Sequence, residues 1–230
     1  MHRRVTSRRA VTVPTVPYFP LFTDLTGRAC LIVGGGRIAE GRTRLLAAHG
    51  AVLRLVTPEL SEGLADLVAR GQVADVRRRP YAVEDLEGIF LALAATNHRE
   101  INAEIAEQAH ARGILCNVAD DPDACDVHIP ALVERGELTI AISTRGASPA
   151  VTADVRRRLE DLFGPERGDL LVLLRELRAD TKRRYPDPAQ RATAVRELLD
   201  DGRVLGLLRA GATAEAYRIA RTALDLEGVG

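Results

Sequence analysis

The chain runs to 230 residues, 46% of them hydrophobic, with 32 basic side chains balanced by 32 acidic ones. That length suffices for one full domain and a smaller companion, while zero net charge removes any global electrostatic case for nucleic acid or an anionic membrane. No apolar run approaches the roughly 20 residues that span a bilayer, and three cysteines without a Cys-x-x-Cys pair argue against a disulfide framework or a zinc site.

Residues 1–17 begin with a basic stretch (Arg3, Arg4, Arg8, Arg9) and show no periodicity. No secretory apolar segment follows, so they read as a disordered tail on a cytoplasmic protein. Tyr18-Phe19-Pro20-Leu21-Phe22 is a short apolar edge, and Thr26-Gly27 a turn. Cys30-Leu31-Ile32-Val33 then reads as a buried parallel strand, which makes Cys30 a core thiol; Cys116, in a later apolar run, reads the same way. Gly34-x-Gly36-x-x-Ala39 follows, with Gly35 as an extra glycine inside it. In a dinucleotide-binding fingerprint the first glycine allows the tight turn and the second lets a pyrophosphate approach the backbone. The small third residue lets the helix pack on the strand. The helix that follows, with Ile38, Leu45 and Leu46 on its apolar side, offers free N–H groups and the positive end of its dipole to the phosphates. A second strand, Val52–Val56, arrives where such a βαβ unit needs one. The alternative is a glycine-rich turn that holds no ligand.

Thr57-Pro58-Glu59 is expected to open a helix bearing Leu60, Leu64 and Leu67, closed by Gly71. Residues 73–78 read as a third strand, 81–86 as a short polar turn or helix, and 89–95 as a buried fourth strand. Thr96-Asn97-His98 leads into a helix with Ile101, Ile105 and Ala109, ended by Gly113, and 114–118 is a fifth strand. Alternating strands and helices imply an α/β fold with a parallel sheet and right-handed crossovers. Ligands of such sheets bind at the carboxyl ends of the strands, which gathers residues 34–39, 57–60, 96–97 and 118–121 on one rim. The position that usually carries an acidic ribose partner holds Thr57, with Glu59 two residues on. No Arg or Lys follows at once to receive a 2′-phosphate, although Arg37 sits in the glycine loop, so NAD is favoured over NADP.

The pattern then changes. Residues 127–132 and 138–143 look like two strands joined by Glu134-Arg135-Gly136-Glu137, a hairpin. Ser148-Pro149 is an N-cap followed by proline at the first helical position, and the remaining segments, around 170–177, 188–199, 204–208 and 214–224, are helical. The expected organisation is therefore a tail over 1–17, a Rossmann domain over 18–129, a hairpin and helix over 130–164, and a helical region over 165–230.

Chemistry-bearing residues fall in two places. Residues 117–128 hold Asp120, Asp121, Asp123, Asp126 and His128 at a strand end. Carboxylates so close disfavour one another's charge, which suits a general base. Asp120 lies nearest the strand end; the other three can equally be an exposed turn, and His128 either a ligand or acid or a satisfied strand histidine. The second place is Ser143-Thr144-Arg145-Gly146-Ala147-Ser148, where hydroxyls, Arg145 and a helix N-terminus make an anion site. Arg156, Arg157 and Arg158 point to different faces of the next helix, so at most one or two share a ligand.

Taken together, PLFTDLTGRACLIVGGGRIAEGR, LALAATNHREIN and CNVADDPDACDVHIPALVERGELTIAISTRGASPA make residues 18–165 resemble the precorrin-2 dehydrogenase family, the N-terminal module of siroheme synthase. The resemblance implies NAD-dependent oxidation of precorrin-2 to sirohydrochlorin, followed in some members by insertion of ferrous iron as a second substrate. It implies that Asp120 is the essential aspartate and that Arg37, Ile38, Glu59, Leu60, Thr96 and Asn97 join Gly34 and Gly36 in holding NAD. Ser143 and Thr144 match the family's hydroxyl-bearing loop, and Arg145, Ser148 and His128 become candidates for the substrate's carboxylates. It implies a homodimer built on the region after the Rossmann domain. No methyltransferase segment is expected here, and no resident metal, nucleic acid or membrane. Two other readings stay open: a dehydrogenase without chelatase activity, and a non-enzymatic NAD(H) sensor that reports through its helical region.

Overall fold

The computed structural model describes residues 18–227; the tail expected over 1–17 lies outside them. The chain divides after Val127 into two compact units. In the first, strands β1 (Ala29–Val33), β2 (Val52–Val56), β3 (Asp75–Arg77), β4 (Leu91–Ala94) and β5 (Leu115–Val118) alternate with helices α1 (Arg37–Ala48), α2 (Glu62–Ala69) and α3 (Arg99–His110). All strand pairs are parallel, in the order β3-β2-β1-β4-β5. Val33 stands beside Val56 and Ala94, and Ala94 beside Val118, so the strands end together on one rim. Crossover helices cover both faces of such a sheet, which is why its strands are continuous apolar runs. Leu31, Ile32, Leu55, Ala92 and Cys116 are fully buried, as is Cys30. Burial pushes the Cys30 thiol up to about 11 and Cys116 to about 12, so both are inert packing groups.

Three details differ from the sequence reading. The helix after β2 starts at Glu62, not at Thr57, because the Thr57 hydroxyl donates to the Glu59 carbonyl (2.7 Å) and holds residues 57–60 as a loop. Ser61 then caps α2 by accepting from Leu64 N (3.2 Å). Strand β3 shrinks to three residues at the sheet's edge. Ile38 points outward at 54% exposure; the buried stripe of α1 is Ala39, Thr43 and Leu46.

The second unit opens with an antiparallel hairpin, β6 (Ala131–Arg135) and β7 (Leu138–Ile142). Arg135 pairs with Leu138, so the loop is only Gly136-Glu137, with Gly136 at φ +59° as a two-residue turn requires. The first strand thus starts later than the expected 127. Pro130, which cannot donate to a ladder, stands just before it, and His128 falls in the connection, half-buried, instead of in a strand. Helix α4 (Pro149–Leu162) follows, then α5 (Glu166–Glu176), α6 (Arg178–Arg184), α7 (Pro188–Asp201), α8 (Arg203–Arg209) and α9 (Thr213–Ala223). Helix α6 has no counterpart in the sequence reading: its residues are mostly charged, and only Thr181 is buried. A core of Leu173, Leu177, Leu198, Leu208, Ala220 and Leu224 holds the later helices. By contrast, α4 buries no residue at all.

Candidate functional site

A cleft of about 610 Å³ lies where β1, β2 and β4 end. This is the crevice between β1 and β4, where the strand order reverses and open α/β sheets bind ligands. Its floor is the glycine loop, and the three glycines are there for different reasons. Gly34 adopts φ +131°, and a Cβ on it would stand 2.3 Å from the Ala95 carbonyl oxygen. A Cβ on Gly35 would stand 1.9 Å from the Glu59 carbonyl oxygen and 2.6 Å from Thr57 Oγ1. A Cβ on Gly36 would meet no atom within 4 Å beyond its chain neighbours. The first two glycines therefore serve the protein's own close packing, and only Gly36 keeps space open for something else. Loop and rim are bolted together by Gly34 N–Val56 O (3.0 Å), Ser61 N–Gly35 O (3.0 Å) and Ala95 N–Val33 O (2.8 Å). Gly36 is also the N-cap of α1 and brings no side-chain acceptor. The first N–H groups of the helix remain for a ligand's phosphates, a fit to a dinucleotide in both room and polarity.

Of the residues singled out in the sequence, Gly34, Gly36, Glu59, Leu60, Thr96 and Asn97 line this cleft. Arg37 and Ile38 form the first turn of α1 and are not part of the lining. The lining also includes Pro80, Tyr81, His98 and Ile101. Tyr81 donates to Gln108 Oε1 (2.7 Å), and burial first, then the charge of Glu104, pushes its phenol up to about 12. Nothing in the local pattern of residues 78–82 marks that tyrosine beforehand.

Asp120 follows β5 on the same rim, with its side chain 43% exposed. Its Oδ1 lies 3.4 Å from Asn102 Nδ2 and its Oδ2 3.4 Å from Arg99 Nε. Asn102, 1% exposed, also binds Thr96 of the cleft wall. Sequence reasoning missed Asn102, although it left a trace: a polar residue at the head of the buried stripe 102, 105, 106, 109 of α3. The carboxylates of Asp121 and Asp126 have structural partners. Asp121 Oδ1 accepts from Asp123 N (3.2 Å) and caps a 3₁₀ turn over Pro122–Ala124. Asp126 accepts from Cys116 N (3.0 Å) and pairs with His110 Nε2 (2.9 Å), and Cys125 Sγ accepts from Val118 N (3.1 Å). These bonds fold the loop back along β5 and leave Asp120 forward of it. Among the described residues no group of His, Cys, Asp and Glu is arranged to hold a metal ion.

In the second unit, Ser143, Thr144, Arg145 and Ser148 form the approach to α4. Ser148 Oγ caps the helix by accepting from Val151 N (3.3 Å), and Ser143 Oγ accepts from Arg145 N (3.1 Å). Thr144 and Thr152 hydroxyls share a 2.8 Å bond. Arg145 sits at φ +56°, a conformation that costs a side-chain-bearing residue about 1 kcal/mol or more. The cluster is thus a rigid, hydrogen-bonded turn with a strained arginine at its tip.

Comparison with known proteins gives a consistent picture. Residues 21–131 match the family described as "Putative NAD(P)-binding", and residues 135–162 match the central region of sirohaem biosynthesis proteins. The siroheme synthase of Azotobacter vinelandii is 41% identical over 202 residues, 88% of this chain and 43% of its own length. That of Chromobacterium violaceum is 42% identical over 170 residues, 74% of this chain and 36% of its own. The chain thus spans less than half the length of these relatives. Among solved structures, SirC, a precorrin-2 dehydrogenase, superposes with a TM-score of 0.68 at 29% identity, covering 87% of this chain and 99% of that one. No helix among the described residues is long and apolar enough to cross a membrane.

Proposed function

We propose that this chain, a member of the family of precorrin-2 dehydrogenases and siroheme synthase N-terminal modules, oxidises precorrin-2 to sirohydrochlorin with NAD. The observation that carries the reading is the cleft itself: open space over Gly36, with a wall at Thr96 that is hydrogen-bonded through Asn102 to a forward carboxylate, Asp120. An oxidation of this kind removes a hydride and a proton. NAD, when bound, supplies the hydride acceptor. Gly36 and the first N–H groups of α1 hold its pyrophosphate, Glu59 and Leu60 flank the ribose side, and Thr96 and Asn97 form the opposite wall. Arg37 and Ile38 close over it from the first turn of α1. Asp120 accepts the proton. Ser143, Thr144, Arg145, Ser148 and His128 hold the carboxylates that ring a tetrapyrrole, the arginine and the helix N-terminus supplying positive charge. The molecule works as a homodimer: α4, with no buried residue and with Val151 and Leu162 exposed, is a helix with a face to cover. The cytoplasmic setting belongs to the same proposal, and so does ferrous iron, as the substrate of a following chelation.

Anaerobic incubation with NAD and enzymatically made precorrin-2 tests it. NADH and the sirohydrochlorin spectrum should rise together, and ferrous iron added afterwards reads chelation in the same cuvette. Asp120→Ala should lose turnover by about 100-fold or more while still binding NAD. No NADH from the wild type, or normal turnover by Asp120→Ala, would sink the assignment.

A further inference from the structure

We propose that Asn102 is a positioning residue that sets Asp120 against the dinucleotide wall. The proposal rests on the reading of Asp120 as proton acceptor. Asn102 Oδ1 accepts from Thr96 N (3.1 Å) and from Thr96 Oγ1 (2.7 Å); Nδ2 donates to Thr96 O (3.1 Å) and faces Asp120 Oδ1 at 3.4 Å. The orientation of this amide is forced. A backbone N–H can only donate and a backbone carbonyl can only accept, so Oδ1 must meet Thr96 N and Nδ2 must meet Thr96 O. The group turned toward Asp120 is therefore always an N–H. With Asn102 1% exposed, a flip would set like against like at two part-buried backbone groups of Thr96.

Arg99 stands one turn earlier on the same face of α3 and reaches the other oxygen of Asp120, also at 3.4 Å. It is 86% exposed, so its hold is weak and easily exchanged with solvent or a substrate carboxylate. Asn102 is the fixed partner of the two. Both contacts are long for hydrogen bonds, so the carboxylate is aimed while its lone pairs stay free to take a proton. Because the same amide grips Thr96 by three bonds, the distance between the cleft wall and the proton acceptor is set by one buried side chain.

Asn102→Asp tests this, since it keeps shape and the acceptor for Thr96 N and Oγ1 but turns an oxygen toward Asp120. In the NAD-dependent precorrin-2 assay, kcat should fall about tenfold or more, as expected when a reacting group is misplaced, while the Kd for NAD changes less than about threefold. A kcat at the wild-type value would overturn the proposal, and so would a loss confined to NAD affinity. If Asn102→Asp does not fold, Asn102→Ser, which adds no charge, is assayed in its place: the same loss of kcat with the NAD Kd held within about threefold supports the proposal, and a wild-type kcat overturns it. Full activity of Asp120→Ala would instead remove the underlying reading of Asp120, whatever Asn102→Asp does.

Discussion

Gly34, Gly35 and Gly36 separate what a fold needs from what a ligand needs. Gly35→Ala drives a methyl group into the Glu59 carbonyl and should lower the melting temperature sharply, because the obstacle is backbone that cannot step aside. Gly36→Ala meets no atom of the protein and should fold as the wild type does. Its NAD affinity should nonetheless drop about tenfold or more, since the added methyl occupies the space a pyrophosphate needs. Thermal unfolding and NAD titration of the two variants check both outcomes; a Gly36→Ala protein that binds NAD normally would remove the pyrophosphate from that position. The fingerprint was legible at Gly34, Gly36 and Ala39 because their spacing is local. The part played by Gly35 was not, for its neighbours Thr57 and Glu59 arrive only through the next βαβ crossover. Asn102 was half legible: the helical period marks its position as buried, but its partners Thr96 and Asp120 come from two different strand ends.

At the scale of elements, the edge of the sheet shows how a short strand is held. Strand β3 has three residues and little apolar surface, so charge replaces packing. Asp85, with a fully buried side chain, binds Arg77 (2.5 Å) and Arg79 (2.6 Å) and accepts from Ala82 N (2.9 Å), and Arg54 ties Asp75 to the Asp85 carbonyl. Burial alone would raise the Asp85 carboxyl, yet the bonds from Arg79, Ala82 N and Arg77 outweigh it and hold the group below its ordinary value. A carboxyl lowered in the folded state adds stability that is fully present above its unfolded value and lost as pH falls through the folded one. Asp85→Asn should therefore cost about 2 kcal/mol at pH 7, and its deficit relative to the wild type should shrink below about pH 4. Urea denaturation at both pH values measures this; a deficit independent of pH would mean the carboxylate's charge is not what holds β3. Strands β1, β2, β4 and β5 were legible as apolar runs, because burial on both faces leaves a strong composition signal. The starts of α2 and β6 were not: Thr57 bonding to its own loop and Pro130 standing before the ladder are single-residue events that no periodicity reports.

For the molecule as a whole, the sequence showed the change of architecture after the sheet, since strand–helix alternation stops and a hairpin begins. What it could not show is that α4 packs on the hairpin with residues such as Val155 and Leu159 only half-buried, while α5 to α9 enclose a core of leucines and alanines. The outer face of this fourteen-residue helix, with Val151 and Leu162 exposed, is expected to be covered by a second copy. Light scattering should give twice the 24.9 kDa of one chain. Val151→Glu with Leu162→Glu, which puts charge on two exposed apolar positions of α4, should return the single-chain mass. A wild type that stays at 24.9 kDa at every concentration would remove the dimer.

The buried amide of Asn102 has a consequence for how two ligands share the molecule. Whatever stiffens Thr96 also stiffens Asp120, because one side chain holds both. On the proposed function, conformational freedom surrendered when the dinucleotide docks need not be surrendered again when the tetrapyrrole arrives. Each ligand then tightens the other by one shared factor, as linkage demands. That coupling is symmetric, so it raises the share of molecules holding both ligands together without deciding which of them arrives first.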